Sequence, residues 1–575
     1  MRNIERIIQE FRGLKNIPIP GEAKSKSHIA VIKDTQGVEQ RTSEGIAEVF
    51  VQFYEALYTG RAAVPVSEPR SVKPAPDITT VELEHALASM KNGRCRDESG
   101  LVAEMLKSGG DVMHTCIKEL FNDVLQCDKP SPASWSTNRL IVLFKKGEPE
   151  LPKNYRPIAI LPILYKLFAR ILCNRVQPAI IGAQSPDQAA DRKGYSAEDH
   201  LLTLTLLFEK CMEWNQEIWF GLVDFEKAFD TVEHGALWNV LRGFGVDECY
   251  IHLLMKLYRD QTGVVSAGTD SRRFSISRGV KQGDPVSALL FIAVMEECFR
   301  SLKQRWNGLN LRRTRHYYGI VIDDAADPLT NLRFADDVLL VAQSRQDAAK
   351  MLTDLKHEAA KYGLVVHLGK TKILATRDEH CGGTVDIAGS CVDVLPPTAS
   401  ERYLGKKLCM DSFHDAELGN RLRSGWCAFA KLRHVLCSRQ YPLKTRFKLF
   451  DTAVTPAALY ACGTWTMAAE QSRKLRTVWR QMVRKMVQTP RGADEPWVEY
   501  IQRATHIAEQ LFHEQGRLDW ATTQCDRKQR LAATLHTDGV EKWSVRLFRW
   551  RPWFLTTHWR RVGRPNLRWE DDVMP

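Results

Sequence analysis

Hydrophobic and polar positions follow two periods along this chain, and the switches between them outline its elements. Ile4, Ile7, Ile8, Phe11 and Leu14 share one helical face, with Glu5 and Glu10 arguing against a transit peptide. The helical N-terminal stretch ends in the aromatic-rich VFVQFYEALY, Val49 to Tyr58, and a Pro- and Val-punctuated linker from about Arg61 to Asp77 marks a first boundary. The helical period returns from Ile78 through Met90 and again from Leu101, before the strand-like LIVLF at Leu140 to Phe144. The middle third alternates short β-rich runs with helical ones, which predicts an α+β fold. After about Ser400 the pattern is mostly helical. No repeat of domain-building length and no low-complexity block interrupts it. The longest clean apolar run, around Ala288 to Met295, is too short to span a bilayer, and no targeting signal is visible.

Composition sharpens this picture. A length of 575 residues with 44% apolar content allows three or four packed units and excludes a peptide, a small disulfide scaffold and a disordered chain. The net charge of +12 is unevenly placed: from Glu401 onward there are 31 Lys+Arg against 18 Asp+Glu, whereas the first 400 residues are close to neutral. Ten of the 15 tryptophans also follow residue 400. Basic residues interleaved with aromatics suit a surface that tracks phosphates and stacks on bases, and equally an Arg-rich helical domain with a solvated face. The 14 cysteines are scattered, with no C-x-x-C pair, so no zinc ribbon can be written and a reducing, intracellular setting is expected.

Three segments place chemistry where a core would not choose it. IWFGLVDFEKAFD, Ile218 to Asp230, reads as a buried strand that delivers Asp224 at its end and turns toward a helix. NLRFADDVLLVA, Asn331 to Ala342, sets Asp336 and Asp337 at the tip of a hairpin, where apolar neighbours predict poor hydration. Adjacent carboxylates repel, so cations with oxygen ligands, Mg²⁺ above all, are their natural partner. Three such acids suit two metals about 3.5–4 Å apart, the clamp used in phosphoryl transfer. GVKQGDPVSALLF, Gly279 to Phe291, is a glycine-bracketed loop opening into a helix, a place to receive a nucleotide or a template base. Each segment alone also reads as a solvated turn, a strand end or a plain loop-to-helix junction.

Together, in this order and spacing, they resemble the reverse transcriptases of non-LTR (LINE-like) retrotransposons. The resemblance extends to KNGRCRDESGLVAEMLK (Lys91 to Lys107), the fingers-like Asn138 to Leu172, GAQSPDQAADRKGYSAEDHL (Gly182 to Leu201), GLVVHLGKTKIL (Gly363 to Leu374) and the primer-grip-like ERYLG (Glu401 to Gly405), covering about residues 80 to 410. It implies a right-hand polymerase with fingers, palm and thumb, followed by a mainly helical basic C-terminal region. The expected divisions are 1–77, a helical extension and linker; 78–215, fingers; 216–400, palm with the catalytic site; 401–500, primer grip and thumb; and 501–575, a basic Trp-rich tail. The implied activity is RNA-directed DNA polymerisation on a primer 3′-OH with two Mg²⁺ ions, Mn²⁺ being an alternative. Asp224, Asp336 and Asp337 would be the catalytic carboxylates, and the Phe225 carbonyl would add a metal ligand. Phe229 would exclude a 2′-OH, Gln282 and Gly283 would line the nucleotide pocket, Arg156 with Lys145 or Lys146 would clamp the triphosphate, and Lys370 would protonate the leaving pyrophosphate.

The chain departs from the family at His367, where an Asn is usual, at Arg96 to Gly100, and at Ala190–Asp191. Only about 80 residues precede the fingers-like region, and neither an endonuclease cluster nor a zinc knuckle follows the thumb. The expected partners are therefore template RNA, primer DNA, dNTPs and a separate or upstream endonuclease, with no membrane and with action in the nucleus. A Gly-Arg-Pro box within Arg560 to Asp572 has no assigned role. The competing reading is a catalytically idle nucleic-acid-binding relic of such an element.

Overall fold

The computed structural model describes residues 29–60, 73–126, 129–267, 270–307, 318–323, 327–377, 382–539, 541–551 and 566–573. The amphipathic run at Ile4 to Leu14, most of the linker and the Gly-Arg-Pro tripeptide lie outside them.

A short hairpin of β1 (Ile32–Lys33) and β2 (Glu39–Gln40) leads into the helix Ser43–Tyr58, whose first turn is capped by the Thr42 hydroxyl accepting from Gly45 N. Ile46, Phe50, Tyr54 and Tyr58 recur every four residues on one face and are all buried, so this N-terminal helix is built into the main core. β3 (Thr137–Phe144) and β4 (Tyr155–Ile160) form an antiparallel pair, and β5 (Trp219–Val223) follows the buried helix Ala197–Glu213. β6 (Gln261–Ala267) and β7 (Asp270–Ile276) form a hairpin whose first strand pairs in parallel with β3. The resulting sheet, ordered β4-β3-β6-β7, joins strands from both sides of the boundary expected at residue 215. Parallel pairing of β3 with β6 brings these distant segments together, which a contiguous reading of the chain does not anticipate.

The larger sheet contains β8 (Asn331–Phe334), β9 (Asp337–Ala342), β10 (Lys372–Ala375), β11 (Thr384–Ile387) and β12 (Ser390–Leu395), in the order β11-β12-β10-β5-β9-β8. β5 lies at its centre and is buried on both faces: Trp219 and Val223 join one hydrophobic cluster, while Ile218, Phe220 and Leu222 join another. The arrangement is α+β. β13 (Ser400–Tyr403) and β14 (Lys406–Cys409) make a hairpin turned at Leu404 and Gly405, both at positive φ, and long helices then build a third core.

Among the described residues, most C-terminal tryptophans are core residues rather than exposed platforms. Trp465, Trp479, Trp520, Trp543, Trp550 and Trp569 are buried, whereas Trp497 is exposed. Within the expected tail, Ala508, Phe512 and Trp520 join the third core, while helix Trp543–Arg549 and the segment around Trp569 pack onto helix Ala197–Glu213. Lys210 Nζ donates to the carbonyls of Leu547 (2.6 Å) and Trp550 (2.7 Å), satisfying the end of helix Trp543–Arg549. Trp569 donates its indole N–H to Gly463 O at 2.7 Å and its backbone N–H to Glu209 at 2.8 Å. Among the described residues no helix is long and apolar enough to cross a membrane.

Candidate active site

The register of the central strands assembles the site. β5 and β9 run antiparallel with Val223 opposite Val338, so one further step sets Asp224 opposite Asp337, a pairing that brings Cα atoms to about 5 Å. β8 and β9 are joined through Ala335 and Asp336, with Ala335 held at φ 55°, a left-handed conformation an alanine adopts only when its surroundings impose it. Two contacts do so: Gln188 Oε1 accepts from Ala335 N at 3.1 Å, and residues 187–189 add a short parallel bridge along β8. On the other flank, the turn leading into β10 is tied to Asp224 by His367 N donating to Asp224 O at 2.8 Å, and it carries Lys370 Nζ to 3.3 Å from Asp224 Oδ2.

Asp336 and Asp337 are exposed, so the expected poor hydration is only partial. Even so, Asp337 is pushed up to about 6: the packed protein beneath desolvates it, and the carboxylates of Asp336 and Asp224 repel its charge. The donors here are all oxygens, the chemistry a hard divalent cation takes. The Phe225 carbonyl fits the same set. In its bridge to Val366 the hydrogen bonds are made by Glu226 and His367, leaving the Phe225 carbonyl directed away from that strand. Among the described residues no three acidic, His or Cys side chains converge closely enough to hold an ion as they stand, and Lys370 is the cation beside Asp224.

A cavity of about 1070 Å³ opens from this point. It brings together Asp224, Phe225, Phe229, Gln282, Gly283, Asp336, Lys370, Lys145, Lys146 and Arg156; Asp337 stands at the hairpin just outside its lining. Lys145 is lowered by burial and by Arg156, and Asp224 partly offsets this. Lys227 is lowered by burial, with Asp230 opposing and Lys145, Arg156 and Lys370 adding repulsion. Mutually repelling cations lining a cavity are relieved by an anion, as neighbouring acids are relieved by a cation. The Phe229 ring is half-buried against Phe291, with centroids 4.4 Å apart at 18°. Gly283, at φ 106°, lies where a Cβ would come within 3.3 Å of Ala159 O, and a Cβ on Gly279 would meet Asp230 O at 2.6 Å.

Sequence reasoning did not single out Asp230, Lys227 or Tyr58. Asp230 is buried and pushed up to about 6, mainly by desolvation, while Tyr58 OH donates to it at 2.7 Å. Lys227 Nζ lies over the rings of Phe53 (4.8 Å) and Tyr54 (5.7 Å) of the N-terminal helix. A polar tyrosine on a buried helical stripe was the available signal. Its partner, 172 residues away, was not.

Residues 144–408 match the family described as reverse transcriptase (RNA-dependent DNA polymerase). A transposon-derived protein of Caenorhabditis elegans is 30% identical over 250 residues, covering 43% of this chain and 84% of that protein. The Pol polyprotein of the type-1 retrotransposable element R2 from Popillia japonica is 34% identical over 216 residues, 36% of this chain and 28% of the polyprotein. The RNA-directed DNA polymerase of the mobile element jockey from Drosophila funebris is 23% identical over 488 residues, 80% of this chain and 50% of that protein. The chain thus spans most of the worm relative's length but half or less of the other two.

Proposed function

Because the chain belongs to the reverse transcriptases of non-LTR retrotransposons, we propose that it extends a DNA primer by copying an RNA template, with dNTPs entering the cavity between Arg156 and Asp224. The observation that carries this reading is the strand register that sets Asp224 opposite Asp337, with Lys145, Arg156 and Lys370 lining the same cavity as Asp224. In this frame the six-stranded sheet is the palm, the β4-β3-β6-β7 sheet the fingers, the β13–β14 hairpin the primer grip, and the helices from Phe413 onward the thumb.

Asp224, Asp336, Asp337 and the Phe225 carbonyl would hold two Mg²⁺ ions, or Mn²⁺ in their place, which when bound activate the primer hydroxyl and neutralise charge on the phosphoryl oxygens. The protein's own part is alignment and electrostatics. Arg156 would fork onto triphosphate oxygens, and Lys145 is the lysine whose charge is coupled to both Arg156 and Asp224. Lys146 lines the same cavity. Lys370 would protonate the departing pyrophosphate. Phe229, braced by Phe291, would leave no room for a 2′-OH, while Gln282 and Gly283 floor the pocket. Template RNA and primer DNA would run along the thumb, a separate or fused endonuclease would supply the nick, and the reaction would take place in the nucleus.

Primer extension on a homopolymeric RNA template tests the reading. Wild-type protein should incorporate dNTPs, and Asp336→Ala should lower the rate by about a thousandfold. Incorporation that survives Asp336→Ala would remove these acids from the reaction, and RNA binding without extension would favour a binding relic.

A further inference from the structure

Gln282 is held by a buried pair that reaches back to the N-terminal helix. Its side-chain Nε2 donates to Asp230 Oδ1 and Oδ2, each at 3.1 Å, and Tyr58 OH donates to Asp230 Oδ1 at 2.7 Å. Asp230 is 2% exposed. An ionised carboxylate only accepts hydrogen bonds, so it fixes which end of the Gln282 amide faces inward: the nitrogen goes to Asp230, and the carbonyl oxygen is left for the cavity that Gln282 lines. The reversed amide would set two acceptors against each other in a buried place, a costly arrangement.

The backbone around this pair is equally constrained. Gln282 O accepts from Ala159 N at 3.1 Å, and Val280 N donates to Phe229 O at 2.7 Å, which lays the loop on the Asp230 segment. Tyr58 is the last residue of its helix. Its carbonyl accepts from Ser277 N (3.1 Å) and Ser277 Oγ (3.0 Å), Arg278 Nε donates to Leu57 O (2.8 Å), and its ring stacks on Phe274. The residues that clamp the helix end are those that lead directly into the Gly279–Gly283 loop.

We propose that Tyr58 and Asp230 are positioning residues for Gln282, orienting its amide so that the carbonyl oxygen accepts a hydrogen bond from a donor, such as a sugar hydroxyl, on the incoming nucleotide. The proposal rests on the nucleotide site argued above and adds the N-terminal helix to it. Tyr58 acts without touching substrate. Removing its hydroxyl leaves Asp230 underheld and free to release Gln282. In Asp230→Asn, an amide nitrogen can face the Gln282 nitrogen, and relieving that clash turns the wrong end of Gln282 to the cavity.

The test uses the full chain and measures kcat and KM for dNTP in primer extension, together with retention of labelled dNTP on a dideoxy-terminated primer–template. Tyr58→Phe and Asp230→Asn should each raise KM and weaken retention by up to about tenfold, the loss expected for one neutral hydrogen bond to the nucleotide, with kcat changed less. Gln282→Ala should do at least as much. In the Gln282→Ala background, Tyr58→Phe should add less than about twofold, since the two act through one path. Tyr58→Phe that leaves KM and retention at wild-type values, or that retains its full effect without Gln282, would overturn the proposal. If Tyr58→Phe melts early, Asp230→Asn carries the same cycle. Failure of the wild type to extend a primer would instead strike the polymerase reading, and the Asp336→Ala control separates the two.

Discussion

Single side chains at this site trade stability for function. Asp230 is buried and pushed up to about 6 from the ordinary carboxylate value of 3.8, chiefly by desolvation, despite hydrogen bonds from Tyr58 and Gln282. Because the folded value is raised, its favourable contribution is fully present below pH 3.8 and is lost as pH rises through about 6. At neutral pH the ionised group therefore costs at most about 3 kcal/mol. Asp230→Asn is expected to raise the melting temperature at pH 7.5 and to change it far less at pH 4, even as nucleotide binding weakens. A melting temperature that drops at pH 7.5 would mean the hydrogen bonds outweigh the desolvation. The Phe229 ring lies flat on Phe291, so Phe229→Ala should cut discrimination against rNTPs by about tenfold or more. Competition between dNTP and rNTP on one template measures it, and unchanged selectivity would leave Phe229 as a core aromatic only.

The N-terminal helix Ser43–Tyr58 has more structural consequence than its position beside a linker suggests. Its aromatic stripe packs edge to face and in stacks: Phe50 against Tyr155 at 5.2 Å, and Tyr54 and Tyr58 against Phe274 at 6.2 and 6.0 Å. Phe50 is fully buried, so Phe50→Ala should cost about 3–5 kcal/mol, read as a lower urea midpoint. A loss below about 1 kcal/mol would show that the helix docks loosely. The apolar spacing that forms this helix was legible in the chain. Its docking was not, because a stripe of aromatics states only that something must cover it. The sheet edge it covers comes from residues 261–276, more than 200 positions away. Likewise, the Asn331 to Ala342 hairpin was legible from its two apolar runs, whereas the strained Ala335 is imposed by the Gln188 segment beside it.

In the C-terminal region the basic excess and the tryptophans separate. Trp569 is fully buried between Glu209 and Gly463, so Trp569→Ala should lower stability by about 3–5 kcal/mol and leave the salt dependence of primer–template binding unchanged. The charges behave otherwise. Lys431 and Arg433 are exposed on helix Phe413–Leu436, and replacing both with Glu should reduce the slope of log affinity against log salt by about 1–2. Equilibrium titrations at several salt concentrations decide both points, and a slope unmoved by the double change would leave those charges as solvated surface. The alternating strands, the acids at their ends and the direction of the charge imbalance are written in the chain, because periodicity and residue chemistry are local properties. That Asp224 stands opposite Asp337, that Lys370 approaches from the other flank, and that Asp230 joins Tyr58 to Gln282 follows from the folded arrangement alone. Strand register and helix docking are settled by which apolar faces bury one another across long separations, and no stretch of the chain contains that information alone.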